Sequence, residues 1–310
     1  MLRKCAASFA IACIVCGCAA DPFRAVTRND IPTTAELDET PFFPQEQYQC
    51  GPAALATVLV ASGVEVAPDH LISKVYLPQR RGSLQAELLA AGREYGRIPY
   101  VIAPEFPALL AEVSQGRPVL VLQNLGIKLF PVWHYAVVVG FSRERREVIL
   151  RSGTDERRVT DAGVFANTWR RSDNWGVVAL KPGELPASED GARYLRAVAA
   201  AESAGRLDLS GPSYAAAVAR WPGNSLAWLG LGNSAYGRGE MEVAERMYRR
   251  ALELDAENAV VLNNLASTVA GLGRCDEARH LLGSARAVPN LHDAMPGLLA
   301  ETQAEIDGCR

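Results

Sequence analysis

The chain has 310 residues, 49% of them hydrophobic and 22% charged, with a formal net charge of −3. That composition excludes a disordered chain and a basic nucleic-acid binder, and the length admits about two domains. Seven cysteines suggest a disulfide scaffold, yet Cys5, Cys13, Cys16 and Cys18 all fall in the first 18 residues, so processing has to be considered before they are paired.

Residues 1–17 read as a bacterial lipoprotein signal peptide. Arg3 and Lys4 give a positive start, and the run 5–16 is apolar apart from Ser8 but too short to span a bilayer. Val15-Cys16-Gly17-Cys18 then places small residues before a cysteine that would be acylated, with Cys18 as the lipidation site. Cys16 is the poorer acceptor because the bulky Val15 precedes it; an ordinary cleaved signal ending near Ala20 is the alternative. The expectation is an exported protein of the bacterial cell envelope, held by its lipid at the periplasmic face of the outer membrane, in an oxidising compartment.

Residues 18–40 are polar, contain proline and lack a period, as a tether would. From 41 to 180 the pattern mixes helix and strand. Helices are expected at 50–62, 84–95, 106–114 and 164–171, and strands at 118–122, 134–141, 147–150 and 175–180. This is an α+β pattern. Residues 181–190, rich in Pro, Gly and charge, read as a linker. Beyond them an alanine-rich helical region repeats every 34 residues, the tetratricopeptide period. In the copy 225–258, Trp228, Leu231, Gly232, Ala244, Tyr248 and Ala251 occupy the positions that repeat prefers; 259–292 is a second copy, 191–224 a weaker one, and 295–306 a capping helix.

The chemistry-bearing segment is Gln45-Glu-Gln-Tyr-Gln-Cys50-Gly51-Pro52-Ala-Ala-Leu-Ala. A cysteine that opens a helix has its sulfur near orphan N–H groups and the positive end of the dipole, which favour thiolate over thiol. A buried cysteine at a helix start is the competing reading. His134 opens the strand His134-Tyr-Ala-Val-Val-Val-Gly-Phe, and a nucleophilic cysteine needs an imidazole in reach as general base. His280 and His292 lie in the repeats and His70 in a polar helix start, which leaves His134.

Cys50-Gly-Pro-Ala-Ala-Leu-Ala after a glutamine-rich approach, followed by His134-Tyr-Ala-Val-Val-Val-Gly, resembles the bacteriocin-processing, double-glycine cysteine peptidases of the papain-like clan over about 42–180. With the lipoprotein signal and the repeats, the chain is similar to a proteobacterial group of lipoprotein homologues of those peptidases. The resemblance implies a papain-like domain followed by an all-α tetratricopeptide domain, Cys50 as nucleophile and His134 as base. It also implies an oxyanion glutamine a few residues before the cysteine, at Gln45 with Gln47 as the second choice. The orienting Asp or Asn belongs at the end of the strand after the histidine strand, where this sequence reads Leu150-Arg151-Ser152-Gly153. Asp155 is the nearest carboxylate that could reach back; without it the site is a Cys–His dyad or has lost activity.

The expected function is thus an exported, lipid-anchored cysteine peptidase, with the repeats recruiting a protein partner or substrate. The alternatives are an inactive papain-like binding module and a transpeptidase or acyltransferase using the same pair. No transporter segment or nucleotide-binding motif accompanies the domain, so leader cleavage is not implied. No cofactor, metal or nucleic acid is expected. Glu144-Arg-Arg-Glu147 and Asp155-Glu-Arg-Arg158 read as solvated turns. Cys275, opening the second helix of the last repeat, and Cys309, at the end of the cap, could form a disulfide that pins the cap.

Overall fold

A computed structural model describes residues 21–44, 49–187, 190–289 and 296–309. Cys18, the expected lipidation site, and the glutamines at 45 and 47 lie outside them. No helix among the described residues is long and apolar enough to cross a membrane.

The N-terminal part is α+β around an antiparallel sheet. Its strands are β1 (Thr34–Glu36), β2 (Ile98–Val101), β3 (Val119–Asn124), β4 (Trp133–Ser142), β5 (Glu147–Ser152), β6 (Asp155–Asp161) and β7 (Gly176–Leu180). They are ordered β2-β7-β3-β4-β5-β6, and β1 extends the β3 side of β4. The helices are α1 (Cys50–Ala61), α2 (Pro68–Val75), α3 (Gln85–Glu94), α4 (Phe106–Ser114) and α5 (Ala162–Arg170).

Strand alternation explains the layers. Tyr135, Val137 and Val139 of β4 join the cluster under α1, α2 and α3, while Ala136 and Val138 join the one formed with α4 and α5. A sheet buried on both faces needs apolar residues at successive positions, and β4 supplies them from Tyr135 to Phe141, Gly140 apart. α1 is buried from Gly51 through Leu59, which makes it an internal helix.

Three expectations are corrected here. Residues 18–40 do not read as a tether once folded: over the described part, Phe23, Val26 and Ile31 are buried and β1 pairs with β4. Three apolar anchors spread over a polar stretch carry no period, which is why they were not legible. Arg151, buried, holds the same segment by donating from Nε and Nη2 to Thr40 O at 3.2 and 3.1 Å and from Nη2 to Asp38 O at 3.1 Å. Second, 155–158 is not a turn but the start of edge strand β6, whose charges suit an unpaired edge. Third, 181–187 is docked rather than a spacer: Gly183 N donates to Ser213 Oγ at 3.1 Å and Ala187 N to the buried Glu112 carboxylate at 2.9 Å.

The C-terminal part is helical: α6 (Gly191–Ser203), α7 (Leu207–Arg220), α8 (Ser225–Gly237), α9 (Met241–Leu254), α10 (Ala259–Gly271), α11 (Cys275–Ala287) and α12 (Pro296–Asp307). Gly205, Gly239 and Gly273 recur every 34 residues with φ of 73, 77 and 79°, a left-handed turn that glycine accepts without strain. After each, an N–H closes back on the preceding helix, Arg206 on Ala201, Glu240 on Ala235 and Arg274 on Val269. Close helix approach also needs glycine: a Cβ on Gly232 would meet the Tyr248 ring at 2.5 Å.

Candidate active site

α1 begins at Cys50, and the Gln49 side chain makes no capping hydrogen bond to it. The sulfur is therefore left beside the first N–H groups of the helix. Gly51 is forced by crowding, since a Cβ there would lie 2.2 Å from Ser83 Oγ. Cys50 is a free, half-buried thiol. Its sulfur meets the backbone N–H groups of Tyr135 and Gly51 and its own, all of which favour the thiolate, but burial outweighs them and pushes the thiol above its ordinary value. Desolvation thus opposes the preference for thiolate that a helix start confers.

His134, at the start of β4, reaches the same place from the sheet. Cys50 and His134 line one cleft of about 960 Å³, and the Tyr135 N–H that meets the sulfur belongs to the residue after His134. The hydrogen bond of the ring runs to Ser152: His134 Nε2 lies 2.9 Å from Ser152 Oγ. Burial lowers the His134 pKa below its usual value, and the Arg158 charge adds to that shift. Burial thus disfavours the charged form of both groups. In the tautomer that carries its hydrogen on Nε2, Ser152 Oγ accepts and Nδ1 keeps its lone pair.

Asp155 is not brought to the histidine ring by any hydrogen bond. It opens β6 opposite Ser152, is largely exposed, and pairs with Arg158 at 3.5 Å. Ser152, the last residue of β5, is buried and takes the place expected for an orienting residue. Sequence reasoning passed over it by searching that position for a carboxylate; the strand-end position itself was the signal. The disposition of the glutamine at 45 belongs to the segment outside the described residues.

The walls are a hairpin at 77–83 and the turn 171–175. Arg81 and Asp173, both lining the cleft, have φ of 50 and 55°, a conformation uncommon for side chains of this size and concentrated at sites that need a fixed shape. No group of three or more His, Cys, Asp or Glu among the described residues is placed to hold a metal ion.

In the C-terminal helical part Cys275 and Cys309 are joined by a disulfide, with Cα atoms 5.7 Å apart.

Residues 37–177 match the Peptidase_C39 like family. The match falls on the sheet-bearing unit and includes Cys50, His134 and Ser152. Among solved structures, the chain is similar to a C39-like peptidase from Bacillus anthracis, at 14% identity and a TM-score of 0.41, over 48% of this chain and 98% of that one. No curated protein matches the chain. In its N-terminal unit, then, the protein is similar to cysteine peptidases of the C39-like type, and a helical region follows.

Proposed function

We propose that the protein is a cysteine peptidase of the cell envelope that hydrolyses peptide bonds through Cys50 and His134, with Ser152 as the positioning residue of the histidine. The observation that carries it is the shared cleft in which Cys50 Sγ adjoins the start of β4 while His134 Nε2 is tied to Ser152 Oγ.

In the proposed reaction Nδ1 of His134 takes the thiol proton as sulfur attacks the peptide carbonyl. The oxyanion is held by the Cys50 N–H and the amide of Gln45, or of Gln47. The imidazolium then protonates the leaving amine, and a thioester remains on Cys50. Water, deprotonated by His134, attacks that thioester and releases the acid and the free thiol. Ser152 fixes the ring and its tautomer but brings no charge, so it supports the imidazolium less than a carboxylate would.

The helical region is proposed to be a set of tetratricopeptide repeats presenting a protein-binding surface. Lipidation at Cys18, at the periplasmic face of the outer membrane, remains part of this proposal. A second reading, an inactive binding module, is favoured by one observation, that the His134 ring meets the Ser152 hydroxyl and not a carboxylate. Cleavage of a peptide library separates the two. The wild type should cleave, Cys50→Ala and His134→Ala should not, and Ser152→Ala should lose about tenfold, the effect of one hydrogen bond of about 1.4 kcal/mol. A wild-type rate equal to that of both null variants supports the binding module.

A further inference from the structure

The apolar residues most exposed among those described are concentrated in one place. Leu129 and Phe130 are 76% and 70% exposed, and Leu125, Ile127, Val132 and Trp133 are also exposed, all in the β3–β4 hairpin. This tip is ordered by hydrogen bonds. Asn124 Oδ1 accepts from Gly126 N and Val132 N, both at 3.0 Å, and Arg171 Nη1 donates to Asn124 O and Gly126 O at 3.3 and 2.6 Å. A rigid, exposed apolar surface of this kind marks an interaction site. It is continuous with the cleft, because Val132 and Trp133 line both.

Among the described residues, Arg80, Arg81 and Arg171 line the cleft, against Asp173 as the single acidic one. We propose that the hairpin tip and this arginine rim together dock a peptide segment that carries large apolar side chains next to carboxylates, placing it across Cys50. The apolar side chains lie along 125–133 and the carboxylates meet the rim, by charge complementarity. This rests on the peptidase reading of the cleft.

A bilayer is the competing occupant, and the position of the N-terminal segment argues against it. Asp21 pairs with Arg146 at 3.4 Å, in the β4–β5 turn, and Phe23 stacks edge-on against Phe106 and touches Phe141. The hairpin tip is at the opposite end of β4, ten residues or about 30 Å away.

The test uses the full chain carrying Cys50→Ala, so that binding is read without turnover. Its probes are a fluorescein-labelled peptide of leucines and glutamates, the same peptide with lysine for glutamate, and the same with serine for leucine. The first should bind about tenfold or more tightly than either of the others. Leu129→Ser with Phe130→Ser should remove the preference for leucine, and Arg80→Glu should reduce the preference for glutamate, at unchanged melting temperature. Equal binding of the three peptides, or tip substitutions without effect, overturns the proposal. So does quenching of Trp133 fluorescence by brominated lipid in vesicles holding the lipidated chain, identified by its loss in Trp133→Phe. Preferential binding of the first peptide without its cleavage by the wild type overturns the peptidase reading alone.

Discussion

The Cys50 thiol lies above its ordinary pKa and the His134 imidazole below its own, both chiefly through burial. Burial disfavours an ion pair between them, so in the proposed reaction the nucleophile forms as its proton moves. His134 must then be neutral to act, and the acid limb of the pH–rate profile falls below the ordinary histidine value of 6.5. Arg158 contributes to that depression, so Arg158→Glu should raise the His134 pKa and move the acid limb of kcat/KM to higher pH, most clearly at low salt. A limb that stays in place or moves lower contradicts this. The same depression makes stability pH-dependent: the neutral ring stabilises the fold above pH 6.5, and that contribution is lost as pH falls towards the folded-state value. Cys50 and His134 were legible in the sequence because a helix-opening Cys-Gly-Pro and a strand-opening histidine are local patterns. The burial that opposes a thiolate was not, because the helix dipole acts within one turn whereas desolvation comes from the sheet folded over it. Ser152 was half legible, its position being clear and its chemistry unexpected.

At the scale of elements, the strongly periodic segments were read most closely. Helix 106–114 and strands β4, β5 and β7 fall within a few residues of expectation. β2, at four residues, and β1, at three, are too short to show alternation. β6 carries charge along an exposed edge and shows no apolar face at all. The helical pairs were legible through their 34-residue spacing, and the left-handed glycines at 205, 239 and 273 repeat it in the backbone. The last of these pairs is closed by the disulfide, whose cysteines are 34 residues apart in sequence. On chain entropy a loop of that length gains about 3–4 kcal/mol. Cys275→Ser should therefore lower the denaturation midpoint by an amount that dithiothreitol reproduces in the wild type. An unchanged midpoint would mean that α12 is held by packing of Leu299 and Ile306 alone.

Across the whole molecule, the expected division into catalytic body and repeat arm is a division of sequence pattern more than of packing. One continuous apolar cluster runs from Val119 and Phe165 of the sheet unit to Tyr194, Val198, Leu209 and Tyr214 of the first two helices of the arm. Beneath it, Arg117 bridges Glu112 at 2.6 Å and Glu184 at 3.0 Å, although burial still raises the Glu112 pKa. Arg206 of the arm also caps the α3 end through the carbonyls of Arg93 and Glu94. Units that share a core unfold together, so calorimetry should record one cooperative transition in which loss of sheet and arm coincide. Two separated transitions would contradict the shared core. The linker reading failed here because composition reports what a segment is made of, and docking depends on what lies opposite it.

The central claim, a nucleophilic Cys50 served by His134, is tested most directly by intact-mass spectrometry of the full chain quenched in acid during turnover of an activated peptide ester. The account predicts a thioester of the acyl fragment on Cys50, absent in Cys50→Ala and strongly slowed in His134→Ala. An unmodified Cys50 during turnover, or an acyl group on another residue, would contradict it.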